Sequence, residues 1–205
     1  MKLPIVLGVL AIATTPVWFI HPGNSSTTET TAAETIGKPV PAEQIASLRV
    51  ATWDDAGGTE QVLEIKKANG LWSIPSSFDF PADGNTRVTK AASAFLGVAR
   101  GRVVTTDEKR YEDLGVNDPL DPTSLTKKGH GKRLTMTDAS GATVVDLIIG
   151  KYVEGASGLY YVREIGSKEV TTAKVDPWEL STKFIDYVET DPFKIAKEDI
   201  RDVTI

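Results

Sequence analysis

From Gln44 to Trp53 the side chains alternate, with Ala46, Leu48, Val50 and Thr52 on one side, and this period of two predicts a strand. Asp54-Asp55-Ala56-Gly57-Gly58 supplies turn residues, after which Gln61 to Lys67 resumes an extended pattern. Asn69-Gly70 is the pair that best fits a two-residue hairpin, and Leu71-Trp72-Ser73-Ile74 then completes a three-stranded antiparallel meander. The period changes after Pro81-Ala82-Asp83. Val88, Ala91, Ala92, Phe95 and Val98 recur three and four apart, which predicts an amphipathic helix over 84–99, capped by Asp83 or Asn85 and ended at Gly101.

A strand follows over 101–106, then a turn-rich segment, 111–119, whose Tyr111 and Leu114 plug the edge of the core. Two hairpins come next. Arg133 to Thr137 faces Ala142 to Ile149 across Asp138-Ala139-Ser140-Gly141, with Gly150 ending the second strand, and Leu159 to Glu164 faces Glu169 to Ala173 across Ile165-Gly166-Ser167-Lys168. Asp176-Pro177-Trp178-Glu179 has the capping-box arrangement, predicting a second helix with Leu180, Phe184 and Val188 on its inner face. The expected fold is α+β: antiparallel meander and hairpins, with two amphipathic helices packed on one side of the sheet.

Both ends of the chain read differently. Leu3 to Ile20 is an 18-residue run without a charge, preceded by Lys2, which fits a single membrane helix. A cleavable export signal competes, since Ala11 to Ala13 offers a small-residue step, but cleavage there leaves Val17, Trp18, Phe19 and Ile20 on the mature chain. The uncleaved anchor over 1–20 is favoured, with Lys2 inside and the rest facing the periplasm or exterior. Residues 21–42, rich in Ser, Thr, Gly, Ala and Pro, read as a flexible linker to an α+β domain over 43–190. Lys197 to Ile205 echoes Ala42 to Val50, so 191–205 is either a closing strand or the start of a second repeat.

Composition narrows the function. Lys plus Arg 23 against Asp plus Glu 28, a net charge of -5, gives no overall positive field to attract nucleic acid. The absence of cysteine removes thiolate nucleophiles, disulfides and Cys-based metal sites. Two histidines, His21 and His130, do not suffice for a His-rich metal centre. No cofactor is indicated.

Trp72, Pro81-Ala82-Asp83 before a helix, Tyr111-Glu112-Asp113-Leu114-Gly115 leading to Asp118-Pro119, Leu147 to Gly150, and Tyr160-Tyr161-Val162 occur in that order. This series, spanning roughly Ile45 to Ile205, resembles a bacterial family known as domain of unknown function 4340. The resemblance implies an N-terminal membrane segment, a domain that often occurs in tandem, and partners among envelope membrane proteins such as components of ABC-type transport or gliding-type systems. It carries over no catalytic residue. The loop from Pro122 to Lys132 departs from the family pattern by being longer and more basic, and the chain has room for one unit.

Among residues that could carry chemistry, the densest charge lies at Lys127-Lys128-Gly129-His130-Gly131-Lys132-Arg133. Lys127, Lys128, His130, Lys132 and Arg133 are the candidate contacts for an anion or other ligand, against the alternative of a solvated hairpin-flanking loop. The spacing does not make a nucleotide-binding loop, and no Gly-x-Ser-x-Gly elbow is present. Asp54 and Asp55 read as solvated turn residues. Trp53, Trp72, Tyr160, Tyr161 and Trp178 form a sugar platform if two or more reach one surface; otherwise they pack the core. The expected function is therefore a non-catalytic, membrane-anchored accessory domain of an envelope system, with a cell-wall glycan or other ligand-binding module as the alternative.

Overall fold

The computed structural model describes residues 34–123 and 128–190. The anchor at 1–20, the first part of the linker, Lys127 and the echo at 197–205 lie outside them. Nine strands among the described residues form one antiparallel sheet. They are β1 (Ile45–Asp54), β2 (Thr59–Ala68), β3 (Leu71–Ile74), β4 (Phe80–Pro81), β5 (Val103–Thr105), β6 (Lys132–Asp138), β7 (Thr143–Tyr152), β8 (Leu159–Glu164) and β9 (Val170–Lys174). Their order across the sheet is β4-β3-β2-β1-β6-β7-β8-β9-β5. The expected three-stranded meander, β1 to β3, extended by the further short strand β4, makes one half, and the two expected hairpins make up β6 to β9. What joins the halves is the antiparallel pair β1–β6, with Leu48 opposite Met136 and Val50 opposite Leu134.

Alternation sorts the side chains onto two faces, and each face has a covering layer. Leu48, Val50, Leu63, Ile65, Leu134, Met136, Leu147 and Ile149 belong to the main core, which is closed by Val88, Ala91, Ala92 and Phe95. Burying each such aliphatic chain stabilises the fold by about 1.5–3 kcal/mol. On the opposite face Ile148 and Val170 meet Tyr111, Leu114 and Val116 in a smaller cluster. Adjacent strand residues Leu147 and Ile148 thus serve different cores.

In β1 the buried residue at the start is Ile45, not Ala46, because the β1–β6 register shifts between Ile45 and Ser47. At Asn69-Gly70 both residues have positive φ, 51° and 82°, the backbone that the hairpin requires. β7 runs through Gly150 to Tyr152 instead of ending there.

The helical layer departs further from expectation. A π-helical turn, Gly84–Val88, passes into helix α1 (Thr89–Ser93), with Asp83 rather than Asn85 accepting from Thr86 N at 2.9 Å. The turn after α1 reaches a left-handed conformation at Gly97, φ 65°, so the helix stops well before Gly101. Its apolar stripe is nevertheless the predicted one, with Val98 half-buried. Helix α2 (Tyr111–Leu114), in the segment expected to be turn-rich, lies on the other face of the sheet, whereas the segment after Asp176 packs on the α1 side through Leu180 and Tyr187.

The second predicted helix is replaced by two single 3-10 turns, Pro177–Glu179 and Phe184–Asp186, separated by extended backbone at Leu180. Asp176 still caps, accepting from Trp178 N at 3.1 Å, but Glu179 pairs with Lys90 at 2.8 Å. The cause lies in who takes the carbonyls. Lys132 Nζ donates to Pro177 O and Leu180 O, and the Tyr187 hydroxyl donates to Glu179 O, so three acceptors that an α-helix would use are met by side chains from elsewhere.

The fold also reaches back into the segment read as linker. Thr35 bridges Ala99, Ile36 N donates to Val98 O, Lys38 N donates to Val144 O, and Ile36 is 1% exposed within the main core. Val40 and Ala42 also pack against that core, so 34–42 is part of the fold and not of the tether.

Candidate functional site

The C-terminal ends of β1 and β7 and the N-terminal ends of β6 and β8 lie at the same end of the antiparallel sheet. At that end is a cleft of about 710 Å³. Thr52, Trp53, Lys132, Ile149, Gly150 and Tyr160 come from the strands; Glu112, Asp113 and Gly115 come from the α2 side, and Pro177 and Trp178 from the 3-10 turn of the other layer.

Its floor is built by close backbone approach. A Cβ at Gly129 would meet Glu112 O at 2.2 Å, one at Gly150 would meet Leu114 O at 2.4 Å, and one at Gly131 would meet Ile148 Cγ2 at 2.3 Å and Gly115 O at 2.7 Å. Only hydrogen atoms fit at those three positions. Asn117, buried, holds the loops together: its Nδ2 donates to Lys128 O at 2.6 Å, its N donates to Gly129 O at 3.1 Å, and its carbonyl accepts from Gly131 N at 2.9 Å. Asn117 and His130 thereby form a parallel bridge, and the His130 ring lies against Trp53 with centroids 4.8 Å apart.

The basic run is divided by this arrangement. Arg133 turns away from the cleft onto the opposite face of β6, where its guanidinium forks onto Asp146 at 2.9 and 2.8 Å and reaches Asp118 at 2.8 Å. Burial works against its charge, but the bonds and charges of Asp146 and Asp118 outweigh it and raise the Arg133 pKa above the ordinary value. Lys132 faces the cleft but donates to Pro177 O at 2.9 Å and Leu180 O at 2.7 Å; burial pushes its pKa down. Lys128 is exposed at the rim and His130 is half-buried beside Trp53. Of the expected anion-binding set, two members have partners within the fold: Arg133 pairs with two carboxylates, and Lys132 serves the main chain.

Three of the five aromatic residues border the cleft, with Trp53 on the strand face of Ala51 and Arg133 and Tyr160 on the face of Ala173. Trp53, Tyr160 and Trp178 line the one cleft. Trp178 is 85% exposed, and Tyr160 is steadied edge-on by Tyr152, with ring centroids 5.5 Å apart. Trp72 is elsewhere, packed over Gly84, and Tyr161 joins the smaller cluster on the opposite face, as its alternation with Tyr160 requires. The lining ionisable groups are Asp55, Glu112 and Asp113 against Lys128, Lys132 and Lys151, with His130. Formal charge is thus balanced, and all three carboxylates are exposed to water. Among the described residues no group of His, Asp and Glu is placed to hold a metal ion.

Sequence reasoning did not single out Asn117 or the close-approach glycines, since the contacts that give them their role join residues distant in the chain. The glycine spacing around His130 was the available signal.

A family model described as domain of unknown function DUF4340 matches residues 72–205. The match takes in Tyr160, Trp178, the glycine floor and the basic run, and begins after Trp53. Neither the curated proteins nor the solved structures give a match. Among the described residues no helix is long and apolar enough to cross a membrane.

Proposed function

The chain belongs to the domain of unknown function 4340 family, and from that premise we propose that it is a non-catalytic, membrane-tethered accessory domain of the cell envelope that binds a saccharide in the cleft at the end of the sheet. The observation that carries the reading is that Trp53, Tyr160 and Trp178 all line one open cleft. Aromatic faces offer apolar area to the C–H faces of sugar rings, while a rim of exposed carboxylates, ammonium groups and main-chain amides satisfies hydroxyl groups.

Balanced charge selects among envelope polymers. A phosphate-rich chain needs a surplus of cations, whereas here Lys132 is committed to Pro177 and Leu180 and three carboxylates stand among the ammonium groups. A neutral glycan, such as an amide-bearing wall saccharide, fits better. Residues 3–20 as an anchor hold the domain outside the membrane and raise its effective concentration at the wall. Service to an ABC-type transport or gliding-type system rests on the family resemblance and is tested by cross-linking in cells and mass spectrometry of captured membrane proteins.

Co-sedimentation of the full chain with purified cell-wall glycan tests the binding reading. The native chain pellets with the glycan, and the double variant Trp53→Ala, Trp178→Ala remains in the supernatant. Equal pelleting of both, or of neither, contradicts the assignment.

A further inference from the structure

Trp178 does not wall off the cleft. Adjoining it is a second hollow of about 570 Å³, lined by Ala94, Gly158, Lys174, Val175 and Asp176, and both hollows share Tyr160 and Trp178. The shared indole is 85% exposed, and the turn that carries it is held firmly: Asp176 caps the turn, Lys132 holds the carbonyls of Pro177 and Leu180, and Lys90 pairs with Glu179. The second hollow has a firm margin, since Val175 N donates to Gly158 O at 3.2 Å and Val175 is buried. Each hollow alone has the volume of a small-molecule site.

We propose that these hollows are two subsites of one groove, and that the ligand is an internal stretch of a saccharide chain laid across Trp178, rather than a single sugar or a chain end. The inference rests on the saccharide reading of the cleft and adds the polymer class. A chain occupying one hollow presents its next units to the other at high local concentration, so affinity grows with length until both are filled. Trp178, which lines both hollows, is the shared platform. Lys174 contacts only the stretch in the second hollow, where its stem supplies apolar contact.

Titration calorimetry of the full chain against the monomer, trimer and pentamer of β-1,4-linked N-acetylglucosamine separates the two levels. The pentamer is expected to bind roughly tenfold or more tighter than the trimer. Lys174→Ala is expected to bring the pentamer down toward the trimer while leaving the trimer unchanged, whereas Trp178→Ala weakens both. Equal affinities for trimer and pentamer, or a Lys174→Ala loss shared equally by both, overturn the two-subsite groove and leave the cleft reading standing. Binding of none of the oligomers overturns both.

Discussion

The Lys132 ammonium donates to the Pro177 carbonyl at 2.9 Å, tying the end of β6 to the turn that carries Trp178. With its second bond, to Leu180 O, this lysine substitutes for helical hydrogen bonding along Pro177–Leu180. Burying an ammonium costs free energy that the two carbonyls offset, and an apolar replacement leaves those carbonyls without their donor.

Lys132→Met is therefore expected to lower stability by about 1–3 kcal/mol and to loosen the turn. Hydrogen exchange read by mass spectrometry checks this: amides across 177–182 exchange faster in Lys132→Met, by more than those of β6 and β7. Unchanged protection of the turn would show that Lys90 and Tyr187 hold it alone.

The glycine floor makes a steric prediction. Gly131→Ala places a methyl group 2.3 Å from Ile148 Cγ2 and 2.7 Å from Gly115 O, between a buried strand and a loop closed by Asn117. Overpacking of that kind costs about 1–3 kcal/mol. Gly141→Ala in the β6–β7 turn meets nothing within 4 Å and bears only its positive φ of 82°, a cost of about 1 kcal/mol. Urea denaturation midpoints rank the two, with Gly131→Ala the less stable.

Arg133 and Lys128, neighbours in the same basic run, should behave unlike each other. Arg133→Ala leaves Asp118 and Asp146, both largely buried, facing each other without their cation, a loss of about 3 kcal/mol. Arg133→Lys does not restore the fork. Lys128→Ala changes stability by no more than about 0.5 kcal/mol. Thermal melts of the three variants provide the test, and equal destabilisation by the two alanine changes would refute the division of the run.

Tyr187 predicts an alkaline limit. Burial of the hydroxyl raises its pKa above 10.0, outweighing the opposing hydrogen bond from Ser181 N. A hydroxyl that keeps its proton longer when folded contributes stability that is fully present below 10.0 and is lost as pH rises from 10.0 through the raised folded value. The stability difference between the native chain and Tyr187→Phe should shrink over that range in denaturant titrations. A constant difference contradicts it.

How much of this was legible in the sequence depends on the range of the interactions. The β1–β3 meander, the hairpins, the Asp83 cap and the stripe Val88–Phe95 are local, and period and turn chemistry revealed them. The order of the sheet was not, because the β1–β6 pair joins strands more than eighty residues apart in the chain. The segment after Asp176 misled because its capping signal is real, while Lys132 and Tyr187, remote or later in sequence, take the carbonyls that would have continued a helix. The cleft was legible only as a condition on five aromatic residues. Which three line it is decided by strand register and by the turn at Trp178.

The most direct measurement of the central claim is a proton–nitrogen NMR spectrum of the tryptophan indoles in the full chain, recorded while the N-acetylglucosamine pentamer is added. Saturable shifts of the Trp53 and Trp178 indole signals, with Trp72 unmoved, are the predicted result. Shifts confined to Trp72, or no saturable shift at all, would contradict the assignment of the cleft as a saccharide site.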